Sequence, residues 1–95
     1  MYKTLDPILH APLRLTIMAY LSAHTKVSFN ELKNQTDATS GNLSIQLKKL
    51  EEAEYIAIRK SFSKNYPLTQ VSLTAKGIKA FEIYVAQLKK MILPK

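Results

Sequence analysis

The chain has 95 residues, 46% of them apolar and 22% charged, with no cysteine. That length and composition fit one small domain spanning 1–95, and they exclude disorder as the main state, a membrane span, a disulfide framework, a thiol nucleophile and a cysteine-based zinc site. Fourteen Lys and Arg against seven Asp and Glu leave a net charge of +7.

Residues 6–23 read as helix. Leu9, Leu13, Ile17 and Leu21 recur at every fourth position and make one apolar stripe. Asp6 is a good N-cap and Pro7 suits the first helical position. Pro12 falls inside the pattern, so it predicts a break near Ala11, with a short lead-in turn before the main helix. Lys26-Val27-Ser28 is long enough for one strand pairing only. Ser28 followed by Glu31 has the form of a capping box and predicts a short helix over 28–36 that buries Phe29 and Leu32. After the polar turn Thr36-Asp37-Ala38-Thr39, either Thr39 or Ser40 caps a third helix to about Ala53, with Leu43, Leu47 and Leu50 on its buried side. The period then changes. Residues 55–62 alternate as a strand, with Ile56, Ile58 and Lys60 on one face and Tyr55, Ala57 and Arg59 on the other. Ser63 to Pro67 is a turn cluster, expected to be longer than a two-residue turn, and Thr69 to Leu73 is the returning strand. Thr74 caps a final helix from Ala75 to about Leu93, stopped by Pro94.

The charge is unevenly placed. Residues 1–47 hold four basic groups (Lys3, Arg14, Lys26, Lys33) and three acidic ones, whereas residues 48–95 hold ten basic and four acidic. Between Tyr55 and Phe81 there are five basic groups and no acidic one. A localised basic excess points to a polyanion, nucleic acid above all, although solubility alone is the blander reading.

The predicted order is three helices, a basic two-stranded hairpin and a long helix: an α+β, mostly helical, winged helix-turn-helix arrangement with the third helix as its reader. The chain resembles the winged-helix transcriptional regulators of the MarR and ArsR type, and most of all the small stand-alone winged-helix DNA-binding domains of bacteria and archaea. Three stretches carry the resemblance: Leu5-Asp6-Pro7-Ile8-Leu9-His10-Ala11-Pro12-Leu13-Arg14-Leu15, the run from Gly41 to Ile56 with Leu43-Ser44 and Leu47, Leu50 and Glu51, and Pro67-Leu68-Thr69 with Leu73-Thr74-Ala75-Lys76-Gly77. Two positions depart from the pattern: Glu54 stands where the family usually has Gly, and the wing tip has no Gly.

With Leu43, Leu47 and Leu50 inward, the opposite face of the third helix offers Asn42, Ser44, Ile45, Lys48 and Lys49, preceded by Thr39 and Ser40. Asn42 suits an adenine edge, Ser44 a base or phosphate, Ile45 a thymine methyl, and the lysines suit phosphates. A polar helix face is commonly just solvated, but an exposed Ile45 has no packing reason to be there. Arg59, Lys60 and Lys64, with Tyr66, make the hairpin a basic wing for phosphate or minor groove, and Lys on an edge strand also blocks aggregation.

On the last helix, Ile78, Phe81, Val85, Leu88 and Ile92 recur at heptad spacing, widened by Tyr84 and Met91. Ile78 and Phe81 are expected to pack on the chain's own core. Val85, Leu88, Met91 and Ile92 are expected to meet a second copy, because a small winged domain (6–74) has no surface left for the distal half of the dimerisation helix (75–93). The expected molecule is a cytoplasmic homodimer that binds double-stranded DNA at a pseudo-palindromic operator. The alternative is a protein-interaction module that no longer reads DNA. The resemblance also implies a small apolar or phenolic effector between the first and last helices of the dimer. No cofactor, metal or membrane partner is expected. His10 and His24 lie far apart and no nucleophile-base constellation is visible, so neither a metal site nor an enzyme is expected. Lys3 and Asp6 interrupt any apolar run near the N-terminus, so a secretory signal is not expected.

Overall fold

The computed structural model describes residues 4–93. Its elements in chain order are α1 (Pro12–Ala23), β1 (Val27–Ser28), α2 (Phe29–Thr36), α3 (Ser40–Glu52), β2 (Ile56–Ser63), β3 (Tyr66–Leu73) and α4 (Ala75–Ile92). Pro94 lies outside the described residues.

The break ahead of Pro12 is present. Ala11 is extended (φ −148°, ψ 130°), as the residue before a proline prefers, and Pro12 opens α1. Ahead of it, Asp6 caps a lead-in turn: its side chain accepts from the Ile8 amide at 2.8 Å, and its carbonyl accepts from Leu9 and His10. Ser28 caps α2 by accepting from Glu31 N at 3.0 Å. The Glu31 carboxylate accepts from the Tyr20 hydroxyl, which ties α2 to α1 and raises the Tyr20 pKa. Thr39 caps α3 and Thr74 caps α4, each accepting from the amide three residues on.

β1 adds a third strand to the two-stranded wing expected from the sequence. The order is β1-β3-β2, all antiparallel, with β1 reaching only Gln70 and Val71. The wing turn is also tighter than expected. Pairing continues to Ser63 opposite Tyr66, leaving Lys64 and Asn65 as a two-residue turn with φ 52° and 70°. Two consecutive positive φ values make a type I′ turn, whose twist matches a hairpin. Pro67 does not end the strand, because β3 is an edge there, beyond the reach of β1. A left-handed conformation costs an L-residue such as Lys64 roughly 1–2 kcal/mol. Lys64→Asn with Asn65→Gly, the preferred pair for this turn, is therefore expected to raise the thermal midpoint, by about 4–8 °C per kcal/mol gained. A midpoint that stays put or falls contradicts the turn geometry.

The core joins every element. Leu5 and Leu9 from the lead-in turn, Ile17, Met18 and Leu21 from α1, Val27, Leu32, the Leu43-Leu47-Leu50 stripe, Ile56, Val71 and Tyr84 are all buried in one cluster. Met18 and Tyr84 had not been placed in it from the sequence. The Tyr84 hydroxyl meets His10 Nδ1 at 2.8 Å, and burial raises its pKa. The Tyr55 hydroxyl bonds Asp6, and burial first and that bond second push its pKa to about 12.

Helix α4 corrects the expected seam. Leu88 and Met91 are half-buried against the chain's own core, together with Ala80, Phe81 and buried Tyr84. Ile78, expected inside, is 47% exposed, and Ile92 is 62% exposed. The heptad thus divides: Phe81 and Leu88 lean onto the core, while Ile78, half-buried Val85 and Ile92, seven residues apart, lean outward. The lead-in turn reaches this helix where His10 meets Tyr84, and its Leu5 and Leu9 belong to the same core cluster, which offers α4 more covering surface than the winged domain alone was expected to provide.

Candidate nucleic-acid interface

Helix α3 stands on Leu43, Leu47 and Leu50, all buried, and its outer face carries what remains. Thr39, Ser40, Asn42, Ser44, Lys48 and Lys49 are all exposed, and Ile45 is 55% exposed. Its start follows a left-handed Asp37 (φ 57°), and Thr39 Oγ1 accepts from Asn42 N at 3.1 Å. The capping hydroxyl keeps its own proton as an outward donor. Its end is a Schellman motif. Tyr55 N donates to the Leu50 carbonyl at 3.0 Å and Glu54 N to Glu51 at 2.8 Å, with Glu54 at φ 67°. The position at which Glu replaces the usual Gly therefore does take the left-handed conformation. Glu54 is held there by Thr74 Oγ1 donating to its carbonyl at 2.7 Å and by an exposed ion pair with Lys76 at 3.3 Å, of which the ion pair contributes little.

Between α3 and the sheet lies a cleft of about 650 Å³. Phe29, Leu47 and Ile58 form its apolar floor, and Ser44, Lys48 and Lys60 stand around it, with Glu51 and Thr69. The structure thus brings Ser44 and Lys48 of the helix and Lys60 of the wing to one place. It does not bring Arg59 there. Arg59 is next to Lys60 on β2, so strand alternation puts it on the other face of the sheet, in register with Gln70. Lys64 sits at the wing tip. Beside it are two exposed aromatics, Tyr66 (75%) and Phe62 (78%). Phe62 was not singled out from the sequence, where an aromatic in a strand reads as core; its exposure depends on how far the wing projects.

Two cations on one cleft, an uncapped-by-carboxylate helix start and an exposed Ile45 describe a surface for a polyanion with an apolar edge. Residues 13–92 match the family model described as winged helix DNA-binding domain. The chain belongs to that family. It is 34% identical over 84 residues to an uncharacterised protein of Methanocaldococcus jannaschii, covering 88% of this chain and 91% of the other. The structure of a transcriptional regulator homologue from Pyrococcus horikoshii superposes with a TM-score of 0.85 at 30% identity, covering 90% of this chain and 84% of that one. The transcriptional repressor BigR from Xylella fastidiosa superposes at 0.72 with 25% identity, covering 93% and 82%. A winged-helix regulator of the DNA-binding kind, with MarR-like neighbours, is therefore the class of this molecule.

A second cleft, of about 370 Å³, lies between the end of α1 and the start of α4, lined by residues that include Leu21, His24, Leu73, Ile78 and Phe81. His24 is stacked on Tyr20 with centroids 4.1 Å apart. Among the described residues, no three His, Asp or Glu side chains converge as a metal site would require, and no helix is long and apolar enough to cross a membrane.

Proposed function

We propose that the molecule is a homodimeric, sequence-specific transcription regulator of the cytoplasm, binding a pseudo-palindromic duplex operator. The observation that carries the reading is Ile45: a large apolar side chain exposed between Asn42, Ser44 and Lys48 on the one helix whose family role is to enter a major groove. Asn42, Ser44 and Ile45 read bases. Thr39, Ser40, Lys48, Lys49 and Lys60 hold phosphates, and Lys64 carries the wing tip to the backbone or minor groove. Arg59 acts from the outer wing face. Two reading helices about 34 Å apart then engage successive major grooves. The outward stripe Ile78, Val85 and Ile92, flanked by Leu88 and Met91, joins the two copies.

If the pair neutralises about 6–8 phosphates, log K falls against log salt with a slope of about −5 to −7. Fluorescence anisotropy on a duplex enriched from a random pool measures it. Lys64→Ala is expected to weaken all sequences alike and lower the slope by about one per phosphate lost. Asn42→Ala is expected to cost about 1–3 kcal/mol on the enriched site and little on random DNA. A slope near zero removes the DNA reading and leaves the protein-interaction module, for which Ile45 and the α4 stripe are the docking residues. The cleft between α1 and α4 supports a second use, as the seat of a small apolar or phenolic effector.

A further inference from the structure

The side chain of Asn42 is not free to choose which of its ends it shows to DNA. Arg14, on α1, donates from Nε to the Ile8 carbonyl at 2.6 Å and from Nη1 to Gln46 Oε1 at 2.6 Å. Gln46 Nε2 in turn donates to Asn42 Oδ1 at 3.1 Å. A guanidinium is a donor only. Whatever Gln46 turns toward Arg14 must therefore be its oxygen, so its amino end faces Asn42. Asn42 must then present its oxygen to Gln46, which leaves its own Nδ2 hydrogens facing outward from an exposed residue. An isolated Asn or Gln amide can be assigned either way round. Here the chain starts at a group that cannot accept, and one orientation alone satisfies all the bonds.

We propose that Arg14 and Gln46 are positioning residues that fix the Asn42 amide with its donor toward the base edge, so that α3 selects an acceptor-bearing base at that position. This rests on α3 being the reading helix. Guanine offers N7 and O6 in the major groove, adenine offers N7 and thymine O4, whereas cytosine offers only the N4 donor. Cytosine is the base the relay rejects. Arg14 is half-buried between the lead-in turn and α3, so its charge serves this relay rather than a phosphate.

Gln46→Glu tests the orientation directly. A carboxylate still accepts from Arg14, but it can only accept from Asn42 as well. The Asn42 amide then turns over, and its oxygen faces the groove. In the wild type, guanine is expected to be favoured over cytosine by about tenfold at the base pair whose preference Asn42→Ala abolishes. In Gln46→Glu that ratio is expected to fall to unity or reverse. The added charge weakens binding to every sequence, so the ratio is the readout, not the affinity. Gln46→Glu combined with Asn42→Ala is expected to show the flat ratio of Asn42→Ala alone. Arg14→Lys, a single point charge that cannot span both acceptors, is expected to blunt the ratio while the thermal midpoint reports whether the fold is intact. A DNA-free measurement stands beside these: the Gln46 side-chain amide protons are expected to exchange more slowly in NMR spectra of the wild type than in Asn42→Ala. An unchanged guanine-to-cytosine ratio in Gln46→Glu, with Asn42→Ala still abolishing it, overturns the relay but leaves α3 as the reader. A wild type with no base preference at all removes the reading helix and the relay together.

Discussion

Gly77→Ala is expected to destabilise the domain by about 3 kcal/mol or more, an overpacking cost at the upper end of its range. A Cβ at Gly77 would lie 2.0 Å from the Tyr55 carbonyl oxygen and 2.8 Å from its carbon. Both are backbone atoms, so no side chain can swing aside. The carbonyl is itself fixed, accepting from Thr74 N at 3.1 Å. Helix propensity favours Ala over Gly by roughly 0.8–1 kcal/mol, so the expected loss is what remains after that gain. Gly41→Ala is the matching control. A Cβ there meets nothing within 4 Å, in an exposed turn of α3, and stability is expected to rise by about 0.5–1 kcal/mol. Two thermal melts of the same substitution should therefore move in opposite directions. Equal and small shifts would mean that α4 does not pass Tyr55 as described.

The second large effect belongs to the proposed dimer. Ile78→Glu with Ile92→Glu places like charges on the outward stripe without touching Leu88 or Met91, which the chain's own core holds. Each buried isoleucine contributes roughly 1.5–3 kcal/mol, counted on both copies. Sedimentation equilibrium is expected to show a wild-type dimer at tens of micromolar and a monomeric double variant. The variant should stay folded, with a midpoint lowered only by the lost association and no longer dependent on concentration, and lose about a hundredfold or more in operator affinity, the contribution of linking two reading heads. A wild type that sediments as a monomer at that concentration sinks the dimer and leaves the stripe for a different protein partner.

Local signals in the chain were legible: Pro12 broke the first helix, Ser28, Thr39 and Thr74 capped the later ones, and the Leu43-Leu47-Leu50 period set the buried side of α3. What escaped depended on contacts distant in sequence. The heptad on α4 was read correctly as a repeat, but its inward side packs into a core shared with the lead-in turn, where His10 meets Tyr84 from seventy-four residues away along the chain. The wing turn was read as long because Ser63 to Pro67 form one cluster of turn-type residues, and only the two-residue reach of β1 shows why Pro67 fits inside a strand. Arg14 carried no signal as part of the site, since a lone arginine on a helix reads as solvated charge. Gly77 was visible as part of a motif, but its reason is a carbonyl twenty-two positions earlier.

A helix whose first turn lies against a neighbouring carbonyl has no room to pivot there. Thr74 and Gly77 clamp the foot of α4 to Tyr55, which closes the turn after α3 and directly precedes the first wing strand. The joint has no slack, so any tilt of α4 is delivered whole to the helix and hairpin beyond it. The 18 residues of α4 make an arm about 27 Å long. A tilt of about 10° swings the end of such an arm by about 5 Å, more than one base-pair step of about 3.4 Å. In a pair joined along α4, the gearing between the two copies would thus be set by one angle, and a small molecule wedged beside α1 need change only that angle to throw the two heads out of step with the grooves.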